Sequence, residues 1–431
     1  MISAYKLMPN ITKLTTLPGG LRVATCEMPH VQTAAMGIWA SVGGRHEPAA
    51  LNGISHFIEH MLFKGTARRS ARRIMQEIEG VGGDMNAYTS EERTCYYATA
   101  AAEYFPRVCD VLCDIYLDPK FATSDIDRER GVIGEEILMY KDEPSSHVQE
   151  LLNATFWPGH PLGRPLTGTV ESIEAMGRDE LLGYRASHYH ASSTVVSAAG
   201  NVRHDDVVER VVRHLGRIGK GRRKPSAKPS PVPPAGPRLR IEARDVQQTQ
   251  VAMALPAFSH LDERRFAFHL LHILLGGNAS SRLFQELREK RGICYSVSTH
   301  PMTLDDGGVF NVSIGLDRRN VERSLRLIFE QFHILCEKPV GAAEMKRAKE
   351  YAIGSSRMSL ERTSSQNMRM GSSVLVYGKI VDPETVHEQL RAVTVGEVQS
   401  VAREVLNPAS LTLAMVGPDP DEKMLARVIG L

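Results

Sequence analysis

From Gly216 to Pro237 the chain reads GRIGKGRRKPSAKPSPVPPAGP. Such a run of Pro, Gly, Ser and basic residues has almost nothing to bury and reads as a solvated, semi-stiff tether. Its basic residues could also contact an acidic partner. The tether sits near the middle of 431 residues, so the chain must build separate cores on either side. The expected division is 1–215, a linker at 216–237, and 238–431.

The flanking halves look alike. Ser193 to Val202 closes the first as an apolar strand with a glycine near its end, and Ser410 to Pro418 closes the second in the same way. Gly200 and Gly417 are 217 residues apart, about half the chain. Near the start of each half lies another apolar strand, Thr33 to Val42 and Thr249 to Leu255, followed by an apolar helix ending in glycine, Ile54 to Gly65 and Phe266 to Gly276. A duplicated unit accounts for this most simply. Thr94–Thr99 and Gly308–Ile314 are β-rich, while Asp125–Lys141, Val321–Cys336 and Ala342–Leu360 have helical periodicity. Strands are grouped rather than alternating strictly with helices, so the expected class is α+β, with two homologous halves, each a mainly antiparallel sheet backed by helices.

Composition narrows the function. A net charge of +2 provides no field for nucleic acid or an anionic membrane. No apolar run approaches the ~20 residues that span a bilayer, and the first nine residues lack the apolar core of a secretory signal. A cytoplasmic location is the expectation. Six cysteines occur without a CxxC pair, which argues against a thiolate zinc site and fits a reducing compartment.

The strongest chemical signal lies in Gly53–Gly65. Ile54, Phe57, Ile58, Met61 and Leu62 form one apolar helical stripe. His56, Glu59 and His60 cluster on the opposite arc. Histidines at i and i+4 offer two imidazoles from adjacent turns, which suits zinc. A neighbouring glutamate can take a proton from water. The bland alternative is the polar face of an amphipathic helix.

Zinc requires a third protein ligand. In the Asp125–Tyr140 segment, Glu129, Val132, Ile133, Glu136 and Tyr140 share a face. Carboxylates on an apolar stripe call for a metal or a buried histidine, whereas Glu135 lies off this face and reads as solvated. Glu136 is therefore the candidate ligand and Glu129 an orienting partner. The alternative is that both pair with arginines such as Arg128 or Arg130.

With its flanking residues, His56–Thr66 resembles the active-site helix of the M16 (pitrilysin/insulinase) metallopeptidases, nearest to the beta subunit of mitochondrial processing peptidase and its bacterial relatives. The resemblance covers essentially the whole chain. It implies a third ligand 76 residues after His60, at Glu136, and a further important glutamate at Glu129. Gly82–Thr89 resembles the family's substrate-pairing edge strand, placing Asn86 and Ala87 against substrate. The stretch Gly276–Gly292 matches the second-half signature, making Arg288 and Tyr295 the substrate-binding pair. Unaided, those two read as a surface arginine and a packed tyrosine. There are departures: Gly134 and Glu135 interrupt the ligand helix, and His269 and His272 in the second half lack a glutamate partner.

The resemblance implies a clam-like chamber holding one Zn2+ per chain, with Glu59 as general base and extended peptides or presequence-like segments as substrates. It also implies a homodimer, or a heterodimer with an alpha-like M16 chain. The alternative is a non-catalytic core or partner subunit of a processing-peptidase-like complex, against which the full set His56, Glu59, His60, Glu136, Arg288 and Tyr295 argues.

Overall fold

The computed structural model describes residues 10–221 and 236–431; the greater part of the expected linker, 222–235, lies outside the described residues. In chain order the first half contains strands β1 (Ile11–Thr16), β2 (Arg22–Glu27) and β3 (Thr33–Ala40), helices α1 (Ile54–Leu62) and α2 (Ala71–Glu79), and strands β4 (Asp84–Thr89) and β5 (Thr94–Ala101). Helices α3 (Phe105–Leu117), α4 (Thr123–Asp142), α5 (Pro144–Phe156), α6 (Val170–Ala175) and α7 (Arg178–His188) follow, then β6 (Thr194–Gly200) and α8 (His204–Leu215). The second half has β7 (Arg238–Ala243), β8 (Thr249–Ala257), α9 (Arg265–Leu275), β9 (Cys294–Thr303) and β10 (Gly308–Leu316). It continues through α10 (Val321–Glu337), α11 (Ala342–Leu360), α12 (Thr363–Tyr377), α13 (Pro383–Ala392) and α14 (Val395–Val405) to β11 (Thr412–Gly417) and α15 (Glu422–Ile429).

The strand orders are β1-β2-β6-β3-β5-β4 and β7-β11-β8-β10-β9. Without β1, the two sheets have the same order and the same pattern: β2/β6 and β7/β11 are parallel, and every other pair is antiparallel. Strand for strand, the second sheet repeats the first, as a duplication requires.

All strands of each sheet come from one half of the chain, but the compact units do not follow the contiguous division. Of the described residues, one unit comprises 10–137, 165–221 and 357–382; the other comprises 138–164, 236–356 and 383–431. The compact units differ from the contiguous division 1–215 and 238–431 by two helices: α5 packs on the second sheet and α12 on the first. The reason is visible in side-chain alternation. In β3, Met36, Ile38 and Ala40 face the main core with α1 and α3, while Trp39 faces the opposite side. A strand apolar on both faces needs a second cover, and Met370, Val374 and Leu375 of α12 supply it. Trp39 Nε1 donates to Ser197 Oγ at 2.8 Å, and that hydroxyl donates to Asn367 Oδ1 of α12 at 2.7 Å. Gly371 is required by this contact: a Cβ there would lie 2.0 Å from Trp39 Nε1. In the second unit, Val148, Leu152 and Phe156 of α5 cover Ala252, Ala254, Ala414 and Val416 in the same manner.

The six cysteines are free, and all but Cys336 are buried. Among the described residues no helix is long and apolar enough to cross a membrane.

Candidate metal centre

Helix α1 lies on the first sheet through Ile54, Phe57, Ile58, Met61 and Leu62, each fully buried. Fully burying such a side chain is worth ~1.5–3 kcal/mol, so this stripe fixes how the helix rolls and hence where its polar arc points. Its start is pinned by Glu47. That buried carboxylate accepts from the Gly53 N–H at 2.7 Å, the Ser55 N–H at 2.8 Å and the Asn52 amide at 3.2 Å, satisfying donors that a helix N-terminus leaves open. Gly53 has φ of +92°, and a Cβ there would meet the Thr167 carbonyl at 2.6 Å. Beyond the other end, Thr66 and Arg69 bond to Asp114 of α3, each at 2.7 Å.

The second element is α4, helical throughout Thr123–Asp142 despite Gly131 and Gly134. Its buried positions are Ile126, Glu129, Ile133 and Ile137. The expected stripe is corrected at one edge: Val132 is 46% exposed, because the apolar i, i+4 run passes through Ile133 and Ile137. Glu135 is exposed. Arg128 pairs with Asp125 and Arg130 with Asp127, so neither arginine takes up Glu129 or Glu136.

These two helices bring three donors together. His56 Nε2 lies 3.7 Å, and His60 Nε2 3.6 Å, from Glu136 Oε2, and the ligand atoms of the three all lie within 4.8 Å of one another. The separations are too long for hydrogen bonds. Donors of a tetrahedral zinc with bonds of 2.0–2.2 Å stand about 3.4 Å apart, so His56, His60 and Glu136 would hold the ion with little movement. A His2Glu set leaves one coordination position open, the arrangement of catalytic zinc sites.

Protonation favours the same arrangement. Burial, and then the neighbouring His60, push His56 down to about 4, leaving its imidazole neutral at neutral pH, as a ligand must be. Its buried Nδ1 has no protein hydrogen-bond partner among the described residues, so packing alone orients that ring. His60 is held differently. Its Nδ1 lies 3.1 Å from Glu129 Oε2, and Lys64 Nζ lies 2.7 Å from Glu129 Oε1. Burial opposes ionisation of Glu129, but the bonds from His60 and Lys64 outweigh it and hold its carboxyl below the ordinary value. A carboxylate only accepts, so Nδ1 carries the proton and Nε2 presents its lone pair.

Glu59 lies on the same arc, and Thr89 Oγ1 of β4 donates to its Oε2 at 2.5 Å. Burial raises the Glu59 carboxyl; the bond from Thr89 offsets only part of this. A carboxylate base whose pKa is raised is better matched to proton transfer near neutrality.

Strand β4 is the sheet edge. Ala87 N–H is held by the Asn86 side chain, whose Oδ1 accepts it at 2.8 Å, so a strand pairing through that donor must displace or share the amide oxygen. In the second unit the Arg288 guanidinium lies 5.7 Å over the Tyr295 ring, and Tyr295 is 71% exposed, not packed. In α9, His272 Nδ1 bonds to Thr299 Oγ1 at 2.8 Å.

Residues 22–170 match the family described as insulinase (peptidase family M16), and residues 175–351 match the peptidase M16 inactive domain. The chain belongs to peptidase family M16. Among its M16 relatives, an uncharacterised zinc protease of Streptomyces coelicolor is 39% identical over 95% of this chain and 90% of the relative. One of Bacillus subtilis is 33% identical over 94% of this chain and 98% of its own. In fold, an M16 inactive-domain structure from Pseudomonas fluorescens aligns with a TM-score of 0.88 at 19% identity, covering 95% and 98% of the two chains. A protease from Helicobacter pylori aligns at 0.87 and 21%, covering 95% and 100%.

The residues that sequence reasoning missed are Lys64, Thr89 and Glu47. Thr89 follows Ala87 by two in an edge strand and so shares its face, a signal that could have found it. Lys64 is four residues past His60, a spacing that places it near the same surface. Nothing local marks Glu47, whose role depends on a turn.

Proposed function

We propose that the chain is a zinc-dependent endopeptidase acting on extended peptides. The observation that carries this reading is the convergence of His56 Nε2, His60 Nε2 and Glu136 Oε2 beside Glu59. Zinc, when bound, supplies the Lewis acidity that lets water attack an amide near neutral pH. Glu59 takes the attacking water's proton and passes it to the leaving amine nitrogen, so that water adds across the C–N bond with no net proton change. Glu129 keeps His60 in the ligating tautomer. A peptide pairs with the β4 edge at Asn86 and Ala87 through its backbone, which tolerates varied sequences.

By the family resemblance, Arg288 and Tyr295 are proposed to bind the substrate's carbonyl oxygens. Tyr295→Phe should lower kcat with zinc content unchanged, by about a hundredfold or more if the hydroxyl serves as an oxyanion donor. Arg288→Ala should act more on KM, since a charge that grips the peptide contributes in the ground state too. Steady-state kinetics of both variants separate these effects.

The reading as a whole is tested by metal analysis together with a fluorogenic peptide assay. One zinc per chain, with activity lost to a chelator and restored by zinc, is the expected result. A zinc-loaded protein inert on every extended peptide would favour the scaffold-subunit alternative.

A further inference from the structure

Lys64 lies just beyond the end of α1, where its N–H bonds to the Met61 carbonyl at 3.1 Å. Its Nζ meets Glu129 Oε1 at 2.7 Å, and the other oxygen of that carboxylate meets His60 Nδ1 at 3.1 Å. The Glu129 side chain is only 3% exposed. A carboxylate this buried needs its charge matched and both oxygens bonded, and His60 alone occupies one. The cation on the second oxygen fixes the rotation of the carboxylate, and the carboxylate in turn fixes the imidazole plane.

We propose that Lys64 is a positioning residue for metal retention: through Glu129 it holds His60 with Nε2 directed at Glu136 Oε2. This rests on reading His56, His60 and Glu136 as the metal ligands. Partners that orient a ligand typically contribute 10–100-fold to metal affinity, and a residue one bond further out should contribute about tenfold.

The test is zinc affinity of the chelator-stripped full chain, measured by competition with a chromophoric chelator. Lys64→Met, whose site is 31% exposed and so tolerant, should weaken zinc about tenfold and speed its dissociation. Lys64→Arg should restore most of the affinity, because a guanidinium can also meet the carboxylate. The double variant Lys64→Met/Glu129→Gln should bind no more weakly than Glu129→Gln alone, because the lysine acts through that glutamate. Wild-type affinity in Lys64→Met would overturn the proposal, as would fully additive losses in the double variant. Slower peptide turnover with unchanged zinc affinity would also overturn it, by showing that the lysine serves the substrate. A wild-type chain that takes up no zinc would overturn the metal-centre reading as well.

Discussion

Glu59→Gln is expected to reduce peptide turnover by about 10²–10⁴-fold, the usual contribution of a positioned general base, while zinc content stays at the wild-type level. The amide keeps the carboxylate's shape, and its oxygen can still accept from Thr89 Oγ1, which now bonds Glu59 Oε2. What it loses is the capacity to receive a proton. Folding should not suffer: burial disfavours the Glu59 charge, and a neutral isostere removes that cost. Metal should not suffer either, since the converging donors are His56, His60 and Glu136 and do not include Glu59. The variant therefore separates the chemical step from metal binding. Near-normal turnover in a zinc-loaded Glu59→Gln protein would show that another group accepts the proton.

The polar arc of α1 was legible because it is local. Helical spacing alone placed His56, Glu59 and His60 opposite an apolar stripe, and that stripe is buried as the pattern requires. The second carboxylate needed a contact between α1 and α4, which periodicity could suggest but not locate. The duplication was also legible, in the paired strand–glycine signals, and the matching strand orders follow it. The exchange of α5 and α12 was not. In α12 the buried side mixes Gln366, Asn367, Gly371 and Ser373 with Met370, Val374 and Leu375, and a helix's sequence says that a face must be covered, not which sheet will cover it. The signal lay in the strands instead: β3 is apolar on both faces, so a second layer was needed, and the chain that supplies it comes from the other half.

The two halves also show what duplication leaves free to drift. Helices α1 and α9 each follow an apolar strand, and each presents histidines. In α9, however, His272 is taken up by Thr299, and no glutamate stands beside the pair. An imidazole bonded to a hydroxyl is a satisfied polar group, and the second helix can serve its sheet without a metal. Among the described residues the cluster of His56, His60 and Glu136 lies in one half, with its third member on that half's own α4.

That choice gives the second large effect. Glu136→Gln is expected to strip most of the zinc during ordinary purification, because it removes a charged ligand where orienting partners alone are worth 10–100-fold in affinity. Glu135→Gln should leave zinc and activity at wild-type levels. The two residues are adjacent and differ in one respect: about 100° of helix rotation puts Glu136 Oε2 within 3.7 Å of both imidazoles and leaves Glu135 exposed. Glu136→Gln should fold normally, since Glu136 is only partly buried, and its thermal unfolding should match that of chelator-stripped wild type. Zinc added in large excess should restore little turnover, because the amide oxygen lacks the charge that balances the ion against two neutral histidines. Metal content per chain after dialysis decides the matter. Full zinc in Glu136→Gln, with loss in Glu135→Gln, would require α4 to be rotated by one residue, and the buried stripe of Ile126, Ile133 and Ile137 forbids that rotation at a cost of several buried side chains.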